Sequence, residues 1–154
     1  ISLSSNIFGH DSGKYFEYLI SKANNLNELH VENNCLGDKG IVYILKALSK
    51  MRKRSFHKLN LSKNCFGDVV IPYLVEFLNS INEISYLNIS GNSIYDEGLL
   101  TLMKNIKKTT KINELHMSNC QLTIFPMMNE DILIKKLKYV IGFSLILKNH
   151  RGID

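Results

Sequence analysis

The sequence has little of what marks membrane, secreted or disulfide-rich proteins. None of its apolar runs approaches the roughly 20 residues that cross a bilayer. Only three cysteines occur, an odd number without the paired spacing of a disulfide framework. This cysteine usage predicts a reducing, intracellular location, the cytoplasm first and the nucleus as the alternative. At 154 residues and 45% hydrophobic content, the chain is long and apolar enough for a single domain with one continuous core.

The motifs of enzymes and metal sites are also missing from the sequence. Its five histidines, His10, His30, His57, His116 and His150, do not cluster at metal-ligand spacing. No phosphate-cradling glycine loop, serine-centred nucleophile elbow or HExxH occurs. We therefore expect no enzyme activity, no cofactor, no metal site and no small-molecule substrate.

What the sequence does have is a repeat. The positions Asn6, Asn34, Asn64, Asn92 and Cys120 follow one another at 28, 30, 28 and 28 residues. They occupy the same place in the phrase L-x-x-L-x-L-x-x-N-x-L, whose copies begin at residues 26, 56, 84 and 112, with a truncated copy opening the chain. Self-similarity at such a period predicts a solenoid. The repeats are 1–25, 26–55, 56–83, 84–111 and 112–139, followed by a partial or capping unit at 140–154.

The middle of each phrase alternates apolar and polar residues, as a strand with one buried face must. The residues expected to point inward are Leu29 and Val31, Leu59 and Leu61, Leu87 and Ile89, and Leu115 and Met117. The asparagine that follows each strand can bond backbone groups of a neighbouring repeat at a buried turn. Asn6, Asn34, Asn64 and Asn92 are therefore predicted to be buried and bonded, with Cys120 as a small substitute that completes the ladder.

A helix is predicted after each turn. Asp38, Asp68 and Asp96 each follow an apolar position by two residues and suit a helix N-cap. Pro72 falls early in its helix, where a missing N–H costs least. The apolar residues at helical spacing are Phe16, Leu19 and Ile20; Ile41, Ile44, Leu45 and Leu48; Ile71, Leu74 and Leu78; and Leu99, Leu102, Met103 and Ile106.

The period and the phrase LxxLxLxxNxLGDxG resemble the leucine-rich repeats, in particular their ribonuclease-inhibitor type. The resemblance covers roughly residues 1–122. It implies an α/β fold, a right-handed solenoid with a parallel sheet on its concave face and helices on its convex face. It also implies a protein-interaction role for the concave face. An alternative within the same branch is a GTPase-activating regulator similar to the Ran activators, although none of their functional residues can be matched here.

The pattern changes after Thr123. We expect a helix from Asn129 to Val140 and a sixth strand within 140–147. Two alignments of that strand are open: Phe143 or Leu145 can take the place of Leu115, which puts Lys148 or His150 in the asparagine position. The chain begins inside a strand without a polar cap, and we therefore expect it to be a fragment of a larger protein.

Positive charge concentrates at one edge of the predicted solenoid, where the helices end and the chain returns to the sheet. This basic edge comprises Lys50, Arg52, Lys53, Arg54, Lys104, Lys107, Lys108 and Lys111. Cations near helix C-termini complement the helix dipole, which favours a simple solvated edge. The alternative is a surface that binds nucleic acid, an anionic membrane or an acidic protein. The uncharged segment Asn79, Ser80 and Asn82 separates the two groups of cations.

The exposed strand positions form the candidate concave surface. Its residues are Glu28, His30, Glu32, Lys58, Asn60, Lys63, Tyr86, Asn88, Glu114 and His116. The set is polar, and Tyr86 is its only aromatic residue, whereas strong interfaces centre on Trp, Tyr or Arg. The sequence thus predicts a scaffold that binds an unidentified protein partner, with solvated strand faces as the alternative.

Cys35 and Cys65 hold the same place in adjacent repeats, about 5 Å apart at the strand spacing. A disulfide between them is geometrically conceivable, and the sequence favours two free thiols that stack.

Overall fold

The computed structural model describes residues 1–123 and the backbone of 144–146. Its strands form one parallel sheet in the order β1-β2-β3-β4-β5. The strands are β1 Glu28–His30, β2 Ser55–Asn60, β3 Glu83–Asn88, β4 Lys111–His116 and β5 Ser144–Ile146. The helices are α1 Gly13–Lys22, α2 Gly37–Ser49, α3 Ile71–Ser80 and α4 Asp96–Asn105, with 3-10 turns at His10–Ser12 and Asp68–Val70. The predicted α/β solenoid is confirmed.

We call one strand, its turn and its helix a coil, and number coils 1 to 5 from residues 1, 26, 56, 84 and 112. Each strand alternates as its sequence predicts, since the apolar residues face the helices. Leu29, Leu59, Leu87 and Leu115 pair in register across the sheet, and none is more than 2% exposed. Coil 1 forms no ladder with β1; it pairs with that strand through an isolated bridge between Ser2 and His30 and through a hydrogen bond from the Ile1 ammonium to the carbonyl of Glu28.

The helices close the core from the other side. Residues such as Ile41, Ile44 and Leu74 are at most 1% exposed, because helical spacing places them on the stripe that faces the sheet. Pro72 is tolerated as predicted at the start of α3. Leu19 shares the helical spacing of the buried residues Phe16 and Ile20, yet it is 38% exposed, since α1 belongs to the outermost described coil. No helix within residues 1–123 combines the length and the apolar content needed to span a membrane.

The turn after each strand contains a left-handed backbone conformation just before the asparagine position. The preceding residue has a positive φ in all five coils: Ser5, Asn33, Lys63, Gly91 and Asn119. This conformation is disfavoured for most side chains and suits Gly and Asn, which occupy three of these five positions. The turn is therefore locally strained, and the hydrogen bonds of the buried asparagine stabilise it.

The asparagine ladder offsets that strain by bonding toward the preceding coil. In coil 3, the Asn64 side-chain oxygen accepts hydrogen bonds from the backbone N–H groups of Asn34 at 3.2 Å and Leu36 at 3.4 Å. Its amide nitrogen donates to the carbonyl of Val31 at 2.9 Å, as well as to two carbonyls of its own turn. Asn34 and Asn92 are bonded in the same way and are equally buried.

Asn6 departs from this expectation. Its side chain donates to the carbonyls of Leu3 and Ser4, yet the residue is exposed instead of buried. The reason is its position, because no described coil packs on the open side of coil 1.

The predicted N-caps were wrong, because the aspartates bond to a different coil from the one predicted. The carboxylates of Asp38 and Asp68 do not cap their own helices. Each carboxylate instead reaches the following coil: Asp38 accepts from the backbone N–H of Gly67 at 2.7 Å, and Asp68 accepts from Tyr95 at 2.8 Å and Gly98 at 3.1 Å.

The aspartate of coil 3 therefore caps the helix of coil 4. The carboxylate of Asp96 continues the series by accepting from the backbone N–H and the hydroxyl of Thr123. The repeat spacing predicted that an aspartate recurs as a hydrogen-bond acceptor at this position. It did not predict that the carboxylate bonds to the following coil.

The helix expected at 129–140 and the unit expected at 140–154 lie outside the described residues, apart from the strand at 144–146. That strand pairs with β4 so that Leu145 lies opposite Leu115. This is the second of the two alignments that the sequence left open.

Candidate functional site

The concave face is an ordered set of rows, because the strands pair without a register shift. One row runs Glu28, Lys58, Tyr86 and Glu114 across β1 to β4. The next runs His30, Asn60, Asn88 and His116. Because the strands of a sheet are about 5 Å apart, side chains in neighbouring rows and strands can contact one another.

Tyr86 is the centre of this face. Its ring lies 4.6 Å from the ring of His116 at a 40° tilt, and the ammonium of Lys58 lies 5.9 Å from the ring centroid. The amide of Asn88 donates a 3.1 Å hydrogen bond to the Tyr86 hydroxyl. An aromatic residue held from three sides gives up little rotamer freedom when a partner docks on it.

His116 is itself held on the strand. Its Nε2 atom lies 3.2 Å from a carboxylate oxygen of Glu114, and its side chain is only 19% exposed. The row order thus brings together residues of three coils: Lys58 of coil 3, Tyr86 of coil 4, and Glu114 and His116 of coil 5.

Serine and asparagine side chains fix the far ends of the strands. Asn60 accepts from the backbone N–H and the hydroxyl of Ser62, and Asn88 accepts from the backbone N–H of Ser90 at 3.0 Å. The hydroxyl of Ser90 in turn accepts from the backbone N–H of Ser118. These bonds hold Asn60 and Asn88 against their own strands, so this part of the face presents a rigid polar surface.

The other end of the face is acidic. Glu28 lies opposite Lys58 in register, yet Lys58 turns to Tyr86, and the carboxylate of Glu28 lies 3.5 Å from His30 and 3.6 Å from His57. One carboxylate oxygen of Glu32 is buried without a hydrogen-bond partner. Sequence reasoning missed His57, because it precedes Lys58, outside the alternating concave positions of β2, and nothing in the repeat marks it as a neighbour of Glu28.

The comparison with protein families agrees with this geometry. A family model described as Leucine Rich repeat matches residues 22–45, 52–69 and 84–103. The three matches contain β1, β2 and all but the first residue of β3, which are the strands of coils 2, 3 and 4. The chain contains leucine-rich repeats. Among curated proteins, none matches it.

The basic edge of this leucine-rich-repeat solenoid lies along the return loops. Neighbouring loops are joined by backbone hydrogen bonds, from Asn82 to the carbonyl of Arg54 at 2.7 Å and from Lys111 to the carbonyl of Asn82 at 2.8 Å. One uncharged loop therefore separates the two cationic groups by two coil spacings, roughly 10 Å, which is close to the Debye length at moderate salt.

Some cations of the edge have partners within the described part of the chain. Lys50 lies 3.4 Å from a carboxylate oxygen of Glu17, and Lys53 donates to the side-chain oxygen of Asn27 at 2.5 Å. Lys107 binds Asn79 through both its backbone N–H and its ammonium. Arg52 adopts a positive φ of 48° in the loop where coil 2 carries its two extra residues.

Reactive chemistry is sparse on the leucine-rich-repeat surface. Within residues 1–123, no group of three or more His, Cys, Asp or Glu residues is placed to hold a metal ion. Burial raises the pKa of the Cys120 thiol to about 11, so this cysteine is a poor nucleophile and acts as a core residue.

Proposed function

We propose that this chain is a protein-interaction scaffold of the ribonuclease-inhibitor type, acting inside the cell, whose concave face binds a protein partner. The observation that supports this most is the fixed position of Tyr86, held by Lys58, His116 and Asn88 at the middle of the sheet. Interface energy concentrates in a few such anchors, and Tyr is among the commonest.

The surroundings of Tyr86 suit a protein partner. Glu114 and Lys58 flank it in the same row with opposite charge, while Asn60 and Asn88 line the next row. An aromatic anchor within a mixed polar rim is the usual composition of a non-obligate interface. The sheet is rigid because every turn is bonded to its neighbour, which lowers the entropic cost of docking.

A pull-down from native lysate tests the proposal with three forms of the chain. The first is the wild type, and the second is a double variant, Tyr86→Ala with Glu32→Lys, which removes the anchor and reverses a charge on the same face. The third is Tyr73→Ala on the helical side, where Lys46 lies 5.0 Å from the ring in a matching cation–π contact. A concave binding site predicts that the double variant loses a partner which the wild type and Tyr73→Ala both retain.

Quantitative mass spectrometry measures how much of each protein is captured by each form of the chain. A loss of one or two hot-spot residues lowers affinity by ~10-fold or more, which depletes a specific partner. Equal capture by the wild type and the double variant would refute the concave site.

A second candidate function is electrostatic binding of nucleic acid or an anionic membrane through the basic edge. The backbone bonds that connect Arg54, Asn82 and Lys111 support it, because they hold the two cationic groups within reach of one polyanion. Eight of the fourteen lysines and arginines within residues 1–123 lie at this edge. Such binding weakens steeply as salt rises.

Titration of labelled RNA and of anionic vesicles at low and physiological salt tests this second function. The edge variant carries Lys53→Gln and Arg54→Gln, and the control carries Lys14→Gln and Lys39→Gln, so both lose two charges. Binding that only the edge variant loses supports the function, and the two probes separate RNA from membrane. An absence of binding at low salt would leave a solvated edge. The GTPase-regulator alternative stays a hypothesis from family resemblance.

A further inference from the structure

Two exposed cysteines occupy matching places in adjacent coils, one residue after the ladder asparagine. Cys35 follows Asn34, and Cys65 follows Asn64, and both are free and exposed. The third cysteine, Cys120, is buried and belongs to the ladder itself. The proposed functions use neither of the exposed thiols.

The backbones of these two turns are locked to each other. The N–H groups of Asn34 and Leu36 both bond the Asn64 side chain, and the N–H of Gly37 donates to the Asn64 carbonyl at 2.8 Å. Cys35 therefore lies in a segment whose two neighbours are bonded to the coil that carries Cys65.

The two cysteines also share one backbone conformation. Their φ angles are 53° for Cys35 and 60° for Cys65, both left-handed. Residues with equal backbone angles at equal positions of stacked coils direct their Cα–Cβ bonds in parallel. At a coil spacing of about 5 Å, their Cα atoms fall in the range of about 4.4–6.8 Å that a disulfide spans. Parallel Cα–Cβ bonds leave the Cβ atoms about 5 Å apart as well, so closure requires the two side chains to approach by about 0.5–1.5 Å to reach the usual Cβ separation of about 3.5–4.5 Å.

We propose that Cys35 and Cys65 form a vicinal dithiol, a modification site that closes reversibly to a disulfide between coils 2 and 3 by exchange with a small-molecule disulfide. The inference concerns the edge of the turns, and it stands independently of the functions proposed for the concave face and the basic edge.

The exchange proceeds in two balanced steps, with oxidised glutathione as the example of the oxidant. One cysteine thiolate attacks a sulfur of glutathione disulfide, which breaks that S–S bond, forms a mixed disulfide and releases one glutathione thiolate. The second cysteine then loses its proton and attacks the protein-side sulfur, which releases a second glutathione. Two protein thiols are oxidised, and one glutathione disulfide is reduced to two glutathiones.

Closure would tie two coils that are otherwise held by hydrogen bonds and packing. The bond would enclose the strand and helix between residues 35 and 65, so it would constrain the unfolded chain more than the folded one. We expect the oxidised form to melt about 5–10 °C above the reduced form.

The test incubates a Cys120→Ser variant, which keeps only the two exposed thiols, in glutathione buffers from reducing to oxidising. Acid quenching, intact mass and non-reducing peptide mapping then identify the products. The proposal predicts a monomer that lacks two hydrogens and has a peptide linking Cys35 to Cys65. Adding Cys35→Ser or Cys65→Ser should convert the product to a stable glutathione adduct.

A distance control uses Ser93, the exposed residue at the same place in coil 4. A variant with Ser93→Cys, Cys65→Ser and Cys120→Ser places its two thiols two coils apart, roughly 10 Å, beyond the limit of about 7 Å for a disulfide. It should accumulate a double glutathione adduct and no internal disulfide.

The outcome decides the proposal in either direction. An internal disulfide in the adjacent pair but not in the distant pair supports it. Two retained thiols, two glutathione adducts or a cross-linked dimer from the adjacent pair would overturn it, as would equal closure of the distant pair.

Discussion

The backbone N–H of Asn64 donates a 2.9 Å hydrogen bond to the side-chain oxygen of Asn92 in the next coil. Asn64 itself serves the coil before it through its own side chain. Asn34 and Asn64 therefore each donate a backbone hydrogen bond to the following coil and accept one from the preceding coil through the side chain. A side chain that satisfies buried backbone groups in two coils is costly to remove, because those groups have no access to water.

Replacement of Asn64 by Ala should lower the free energy of unfolding by ~1–3 kcal/mol, since backbone N–H and C=O groups of coils 2 and 3 lose their partners. Urea denaturation followed by circular dichroism measures the change. Asn6→Ala is the matched control and should cost less, because Asn6 is exposed. Equal losses for the two variants would contradict a ladder role that depends on burial.

Replacement of Cys120 by Asn should stabilise the protein by about 1 kcal/mol. The thiol donates a long, 3.6 Å hydrogen bond to the carbonyl of Ile89 and has the backbone N–H groups of Asn92 and Gly91 beside it, and sulfur is a weak partner in all of these bonds. An asparagine there would reach the backbone N–H of Asn92 with its oxygen and the carbonyl of Ile89 with its nitrogen. Thermal melts of the wild type, Cys120→Asn and Cys120→Ala measure this effect, and a lower melting temperature for Cys120→Asn than for Cys120→Ala would refute it.

Stability should fall in alkaline solution partly through Cys120. Its pKa in the folded protein is raised by burial from 9.0 to about 11. The unfolded chain thus releases this proton first, and the stability contributed by the neutral thiol is complete below pH 9 and lost as the pH rises through 11. The slope from this group is at most about 1.4 kcal/mol per pH unit. Urea denaturation across this range should show a steeper decline for the wild type than for Cys120→Ala, and parallel curves would count against it.

Replacement of Lys63 by Asn should raise the free energy of unfolding by about 0.5–1 kcal/mol. Lys63 adopts a φ of 54°, and Asn33 and Asn119 hold the same place in their coils at 56° and 55°. Asn tolerates this left-handed conformation better than Lys does. Thermal melts compare Lys63→Asn with Lys63→Val, a β-branched residue that should destabilise the turn, and the reverse order would exclude backbone strain as the cause.

The positions of the strands and the inward residues were predictable from the sequence, because a side chain in a strand has only two faces to choose from. Leu29 and Leu59 follow directly from that alternation. The partners of Asp38 and Asp68 were not predictable in the same way, since a repeat shows that an acceptor recurs but not whether it bonds its own coil or the next.

The contacts of the concave face were likewise predictable only in part. The common period of 28 residues places Tyr86 and Glu114 in one row. It does not show that Lys58 turns toward Tyr86 and away from Glu28, because that choice depends on the rotamers of a long, flexible side chain.

The asparagine and aspartate side chains of a coil point their bonds in opposite directions along the chain. Asn64 bonds backward to coil 2, and Asp68 bonds forward to coil 4. Each interior coil thus bonds to the preceding coil through its asparagine and to the following coil through its aspartate. A whole coil could consequently be duplicated or removed during evolution without a change in these hydrogen bonds. A deletion inside a coil would instead leave the asparagine and the aspartate without their partners.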